Sequence, residues 1–374
     1  MEHLPALKRK LLQQGVDVID IGPGDADFPP PEVAVEALAR AARDPAMSRY
    51  AFQIGLPKFR ESAAAYMLRR FGVTVDPMKE LLPLLGSKEG LAHLAMAILN
   101  PGDVALVPEP GYAVYHGGTV LADAEPYLYP LTPRTSFLVE LEELPPDIVK
   151  RMRLVFLNYP NNPTAAVAPR EYLERTVAFC RRHDIVLAYD NPYCELTYDG
   201  YVAPSIFEIP DATDVAIEFH SFSKSFCMTG WRLAWAAGRA DLIAAMSRVK
   251  NYADTGPFLA VQAAGAAVLE RAEELAGGYA ARFRERRDAM VPALTAQGFE
   301  CDTPRATMYL WLPLPDGMPS AAFQQRALEE VGVVTLPGSA FGKGAEGFVR
   351  LALTVAVPRL LEAAERLGRV LATV

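Results

Sequence analysis

Four short runs between residues 103 and 224 constrain this chain more than anything else in it: DVALVPEPG, RLVFLNYPNNP, DIVLAYDNPY and DVAIEFHSFSK. Each begins as an apolar or β-branched stretch of strand length and ends among Gly, Pro, Asn, Asp or Ser, the residues of turns. Between the second and third lies PREYLERTVAFCRRH, whose apolar residues recur at helical spacing behind Pro169. Strand, helix and strand in that order imply crossover connections, hence parallel pairing and a sheet covered on both faces. In such sheets the chemistry gathers just beyond the carboxyl ends of the strands. The polar clusters of these runs stand there.

The rest of the chain predicts a second, smaller α/β region. A long Ala-, Arg- and Glu-rich helix over about Glu273 to Gln297 leads into YLWLPLP, a helix over Ser320 to Val331, VVTLPG and FVRLALT. No repeat or low-complexity tract interrupts this pattern, and 374 residues at 51% hydrophobic content suffice for a full core. A formal charge of −8 argues against sequence-independent binding to nucleic acid or anionic membrane, so the expected partner is a small molecule. Cys180, Cys194, Cys227 and Cys301 are scattered, without Cys-x-x-Cys or a histidine at ligand spacing, and read as reduced thiols rather than a metal site. The N-terminal stretch lacks the apolar core of a signal peptide and no run approaches a spanning helix. The expected compartment is the cytoplasm.

Four local motifs carry residues suited to chemistry. In HSFSKSFCMTGWR, Ser221, Ser223 and Arg232 can hold a phosphate, leaving Lys224 for covalent work, since a desolvated lysine beside another cation is a better nucleophile. Read alone, the segment fits equally a polar loop with an incidental lysine. Asn158, Asn161 and Asn162 in NYPNNPT fit a plain Asn-Pro turn as well as a ligand loop. In YDNPYCEL, Asp190 can hold a cationic ring nitrogen and Tyr193 can donate to a phenolate, or both can be solvated loop residues. GSKEG opens an apolar helix at Ser87 and Lys88, so its amides can face an anion, although most helix N-termini face only water.

Taken together, GSKEG, PGY, NYPNNPT, DNPY and SFSK with Arg232 resemble, in order and spacing, the class I/II aminotransferases of fold type I, which use pyridoxal phosphate (PLP). The resemblance runs from IGPGDADFPPP at Ile21 to FVRLALT. SRYAFQIGLPKFRE, GSKEGLAHLAMAILNPGD and IEFHSFSKSFCMTGWR look most like the LL-diaminopimelate aminotransferase branch.

That resemblance implies a large domain over 47–272 with a mainly parallel seven-stranded sheet between helices. The N-terminal arm and part of a smaller α/β domain would fill 1–46, and the rest of the smaller domain 273–374. It also implies the site. Lys224 would be the Schiff-base lysine and shuttle the Cα proton, Asp190 would pair with the ring nitrogen, and Asn162 and Tyr193 would meet the ring's phenolate oxygen. Ser87, the Lys88 backbone, Ser221, Ser223 and Arg232 would hold the phosphate, and Tyr112 would stack on the ring. Arg350 would clamp the substrate carboxylate with the backbone near Gly24 closing over it. Tyr50 would reach the phosphate of a partner chain, making a homodimer with shared sites. The substrates implied are an amino acid, LL-diaminopimelate as best donor, and 2-oxoglutarate. The chain departs from the family at Ala165, where glycine is commonest, and at Cys227, where the branch usually has asparagine.

Other readings compete. N-succinyl-diaminopimelate, aspartate, alanine or an aromatic amino acid can replace the donor, and a PLP-dependent carbon-sulfur β-lyase would need the same residues. Ser221-x-x-Lys224 matches the S-x-x-K of serine acyl-enzymes, but the order of motifs is reversed and Lys-Thr-Gly is absent. Gly22-Pro23-Gly24 lacks the third glycine and the helix of a dinucleotide site. About twenty residues precede the first family motif, too few for the DNA-binding domain of a regulator built on this scaffold.

Overall fold

The computed structural model describes residues 3–52 and 54–372. In chain order its strands are β1 (Ile19–Asp20), β2 (Leu81–Leu84), β3 (Val104–Glu109), β4 (Glu125–Pro130), β5 (Met152–Leu157), β6 (Val186–Asp190), β7 (Ala216–Ser221), β8 (Ala234–Gly238), β9 (Tyr309–Pro313), β10 (Val333–Val334), β11 (Leu336–Pro337) and β12 (Phe348–Ala352). Seven form one sheet in the order β2-β8-β7-β6-β5-β3-β4. The four runs that announce themselves in the sequence are β3, β5, β6 and β7, adjacent and parallel in its middle.

Alternate residues of these strands feed two cores, as a sheet buried on both faces requires. Ala105, Val107, Leu154 and Phe156 join the core under helices Ser87–Ile98 and Ala240–Ala253, whereas Val104, Leu106, Val155 and Leu157 join the one under Arg170–His183. Each buried Leu, Val or Phe contributes about 1.5–3 kcal/mol relative to exposure.

Three strands of this sheet are not legible from periodicity. β2 and β4 contain Pro83, Pro126 and Pro130, and both lie at the edges, where a missing N–H is tolerated. β8, AWAAG, has little β propensity and runs antiparallel to both neighbours. Its direction follows from the link after β7, which holds one helical turn, Phe222–Ser225, and a 3₁₀ turn, Thr229–Trp231, with no helix long enough to cross the sheet. This return brings Arg232 back to the sheet end where Lys224 stands.

The smaller unit pairs β11, β12 and β9 antiparallel, and β1 parallel to β10. Its core joins Ile19, Ile21 and Phe28 to side chains of helices Ala272–Ala296, Ser320–Val331 and Val357–Leu371. The segment between Ile21 and Phe28 is therefore held in this core at both ends. Ala165 and Cys227 have left-handed φ values of 59° and 52°. Glycine and asparagine adopt that region most readily, which explains physically what the two departures replace. Among the described residues no helix is long and apolar enough to cross a membrane.

Candidate active site

The carboxyl ends of β2, β3, β5, β6 and β7 and the start of β8 converge on a cavity of about 240 Å³. Gly24, Ser87, Lys88, Tyr112, Asn162, Asp190, Tyr193, Ser221, Ser223, Lys224, Arg232 and Arg350 all line it. Tyr50 does not. It lies 75% exposed, its ring 5.5 Å from that of Phe52.

Lys224 projects from the single turn after β7. The Ser221 hydroxyl caps that turn by accepting the Ser223 N–H at 3.2 Å, and keeps its own proton to donate. The Lys224 ammonium donates to the Gly24 carbonyl, tying the segment from the smaller unit to the reactive amine. A Cβ on Gly24 would collide with the Tyr309 hydroxyl, so only glycine lets that backbone approach.

Asp190 ends β6 and is 2% exposed. Its Oδ2 accepts the Tyr115 hydroxyl at 2.7 Å, while Oδ1 is buried with no partner among the described residues. Burial pushes its carboxyl up to about 7, against the opposing pull of Tyr115 and of nearby His220. A carboxylate so placed calls for a cation or N–H at Oδ1. Asn158 sets this residue's backbone, donating to the Asp190 carbonyl at 2.8 Å and accepting the Asn162 N–H at 2.8 Å.

Anion-binding groups gather at the other end. The helix that starts at Ser87 points its amino end into the cavity beside Arg232, which has a left-handed φ of 53° and donates to the carbonyls of Thr229 at 2.8 Å and Leu85 at 3.3 Å. A side chain at Gly86 would strike the Arg232 guanidinium. The Lys88 ammonium lies 5.6 Å from the centre of the Tyr112 ring.

Arg350, from the middle of β12, is buried, with its guanidinium 4.1 Å from the Tyr309 ring centre and 5.0 Å from that of Phe341. Nη1 donates to Asn162 Oδ1 and Nη2 to the Gly22 carbonyl, both at 2.7 Å, while Nε has no partner. Each Nη keeps a second N–H, so the group can still receive a carboxylate.

Sequence reasoning missed Tyr309 and Tyr115. Tyr309 opens β9 and read only as part of an apolar strand, yet its hydroxyl stands 3.2 Å from that of Tyr193. Burial pushes the Tyr309 phenol up, but Lys224, Arg350 and the Tyr193 hydroxyl outweigh it and leave it below the ordinary value. Burial and the Tyr309 neighbour drive Tyr193 the opposite way, well up. Tyr115 carried a usable signal, since it lies three residues beyond Tyr112 as helix Ala113–Leu121 begins, and so on much the same face.

These parts define a site for a cofactor with an anionic end and a cationic ring, facing a carboxylate-bearing substrate. The chain belongs to the class I and II aminotransferases, whose family model matches residues 16–367. It is 45% identical over 97% of its length to an LL-diaminopimelate aminotransferase of Moorella thermoacetica, 93% of which is covered. Among solved structures, a probable N-succinyldiaminopimelate aminotransferase from Thermus thermophilus superposes with a TM-score of 0.93 at 40% identity, covering 98% of both chains. Substrate-bound BacF from Bacillus subtillis gives 0.94 at 34% identity, covering 98% of this chain and 93% of that one.

The chain is thus a PLP-dependent aminotransferase, acting on an amino acid and a 2-oxo acid. The residues present fit PLP. The unpartnered Asp190 Oδ1 is the acceptor a protonated ring nitrogen needs, and Gly86 leaves the floor of the anion cup open to Arg232.

Proposed function

We propose that this aminotransferase takes the amino group of LL-diaminopimelate and delivers it to 2-oxoglutarate by a ping-pong mechanism, as a cytoplasmic homodimer. One observation carries the site reading: Asp190, with one oxygen committed to Tyr115 and the other free, lies in the cavity that also holds Lys224 and Arg350. When bound, PLP supplies an aldehyde that takes up the amino group and a ring that draws electrons from the substrate Cα. Ser87, the Lys88 backbone, Ser221, Ser223 and Arg232 would hold its phosphate, and Tyr112 would stack on the ring. Asn162, whose Oδ1 is engaged by Arg350, has its amide N–H groups left to donate to the ring oxygen together with Tyr193.

Lys224 would hold the aldehyde end, and its amine would carry the proton to and from the substrate Cα. Arg350 would fix the α-carboxylate, with the backbone near Gly24 closing over it. Residues 47–272 form the large domain in this reading, and 1–46 with 273–374 the arm and the small one.

The donor assignment is supported by the 45% identity to the Moorella enzyme, and the Thermus structure's name favours the N-succinyl derivative as a second reading. LL-diaminopimelate ends in a second amino-acid group, so a pocket that hydrogen-bonds it rejects analogues lacking that group, leaving its own polar atoms unpaired. The LL isomer is expected to give the highest kcat/KM in a panel with the meso isomer, N-succinyl-LL-diaminopimelate, aspartate, alanine, lysine and phenylalanine. A better rate with the succinyl compound moves the assignment to the second reading. Cystathionine, scored for pyruvate release, tests elimination in the same assay.

The homodimer is supported by an exposed apolar surface. Tyr50, Phe52 and Ile54 are all exposed, as is Tyr252 in the last turn of helix Ala240–Ala253, and a Cβ on Gly256, in the segment after that helix, would come within 3.0 Å of the Phe52 carbonyl. Tyr50 on this surface would complete the partner's phosphate cup. Mixed Tyr50→Ala and Lys224→Ala chains should then regain activity, because one site of each heterodimer has both residues intact. Isolated heterodimers with no more activity than either parent would exclude sharing. Net charge of −8 further supports small molecules, rather than nucleic acid or membrane, as partners.

A further inference from the structure

Behind the anion cup lies a buried charge cluster that the proposed chemistry does not use. Lys250, on helix Ala240–Ala253, is 1% exposed, and its ammonium donates to Glu89 Oε1 at 2.8 Å and Asp254 Oδ1 at 2.7 Å. Glu89 Oε1 also lies 2.7 Å from His93 Nδ1. Glu89, His93 and Asp254 group as metal ligands do, but the Lys250 ammonium already stands as the cation between the two carboxylates.

The other oxygen of Glu89 gives the cluster its reach. Oε2 accepts the Leu85 N–H at 2.9 Å, and the Leu85 carbonyl accepts from Arg232 at 3.3 Å. Leu85 directly precedes Gly86 and Ser87, so one carboxylate steadies both the turn that opens the helix and the carbonyl under the cup arginine. Gly86 has a left-handed φ of 85° and no room for a side chain. The turn therefore depends on hydrogen bonds to its backbone rather than on packing. Burial would raise the Glu89 carboxyl, but His93 and Lys250 hold it below its ordinary value, so it remains a charged acceptor.

We propose that Lys250 is a positioning residue for the cofactor phosphate, acting through Glu89 to hold the Leu85–Ser87 turn and Arg232 in receiving geometry. The inference rests on the reading of Ser87, Ser221, Ser223 and Arg232 as the phosphate cup. Without the Lys250 ammonium, Glu89 is left to His93 alone and its grip on the Leu85 N–H loosens. Among the described residues no hydrogen bond or ion pair joins the ring end of the site, at Asp190 and Tyr193, to the cluster, so that end stays as it is.

PLP and pyridoxal, which shares the ring and aldehyde but lacks the phosphate, separate the two ends. The cofactor-free full-length chain is titrated with each. Wild type should prefer PLP, and Lys250→Met should lose about 10-fold or more in PLP affinity, with pyridoxal affinity changed less than about 2-fold. Asp254→Asn, which keeps the lysine and removes one of its carboxylates, should shift the same ratio a few-fold in the same direction. That variant decides the matter should Lys250→Met not fold. A wild-type ratio in the folded variants overturns the inference, as do equal losses for both ligands. A wild type that does not prefer PLP overturns the cup reading itself, and the role of Lys250 with it.

Discussion

Lys224→Ala is expected to cut turnover by about 10⁴-fold or more while the chain still binds PLP through its phosphate and ring contacts. The amine is placed by a device that alanine leaves intact, the Ser221-capped turn after β7. What disappears is the amine that meets the Gly24 carbonyl in the cavity. Lys88 also lines the cavity, but its ammonium lies 5.6 Å from the centre of the Tyr112 ring. Steady-state rates and the absorbance of bound cofactor read the two halves of this expectation separately. Borohydride reduction of the native enzyme with peptide mapping should place the pyridoxyl group on Lys224; recovery on Lys88 or Lys343 would overturn the assignment.

How far the sequence carried depended on whether a residue's setting is local or long-range. β3, β5, β6 and β7 were legible because a strand buried on both faces reads as an apolar run, and its polar terminus marks the site. β8 was not, since nothing in AWAAG encodes the antiparallel return that brings Arg232 beside Lys224. The helix over Ser320–Val331 lies where its spacing predicts, and that over Ala272–Ala296 within one residue at each end. Ser221, Ser223, Lys224, Asp190 and Arg350 owe their assignments to motif order and not to periodicity. The partners that set their state stayed hidden, because Tyr115 and Tyr309 reach the site only through packing of the helix after β3 and of the smaller unit. The same holds for Lys250, which meets Glu89 from 161 residues away.

Asp190→Asn is expected to lower turnover by roughly 10²- to 10⁴-fold, because removing one charge of a buried ion pair costs about 3–5 kcal/mol. An asparagine can fill the same space and keep the Tyr115 contact, but it cannot hold the ring nitrogen protonated. The same residue makes a second, independent expectation for the cofactor-free chain. Burial lifts its carboxyl from the ordinary 3.8 to about 7 in the folded chain, so folding favours its protonated form. The stability this contributes is fully present below about pH 4, declines as the unfolded chain ionises first, and is gone above about pH 7. The loss amounts to at most about 4 kcal/mol across that window. Urea unfolding from pH 5 to 8 should therefore show a fall in the cofactor-free wild type that is smaller in Asp190→Asn, which has no proton to lose. Saturating PLP should flatten the wild-type curve as well, since a cationic ring at Oδ1 removes the penalty for ionisation. Parallel pH curves for wild type and Asp190→Asn would mean that Oδ1 is not the uncompensated acceptor its burial makes it.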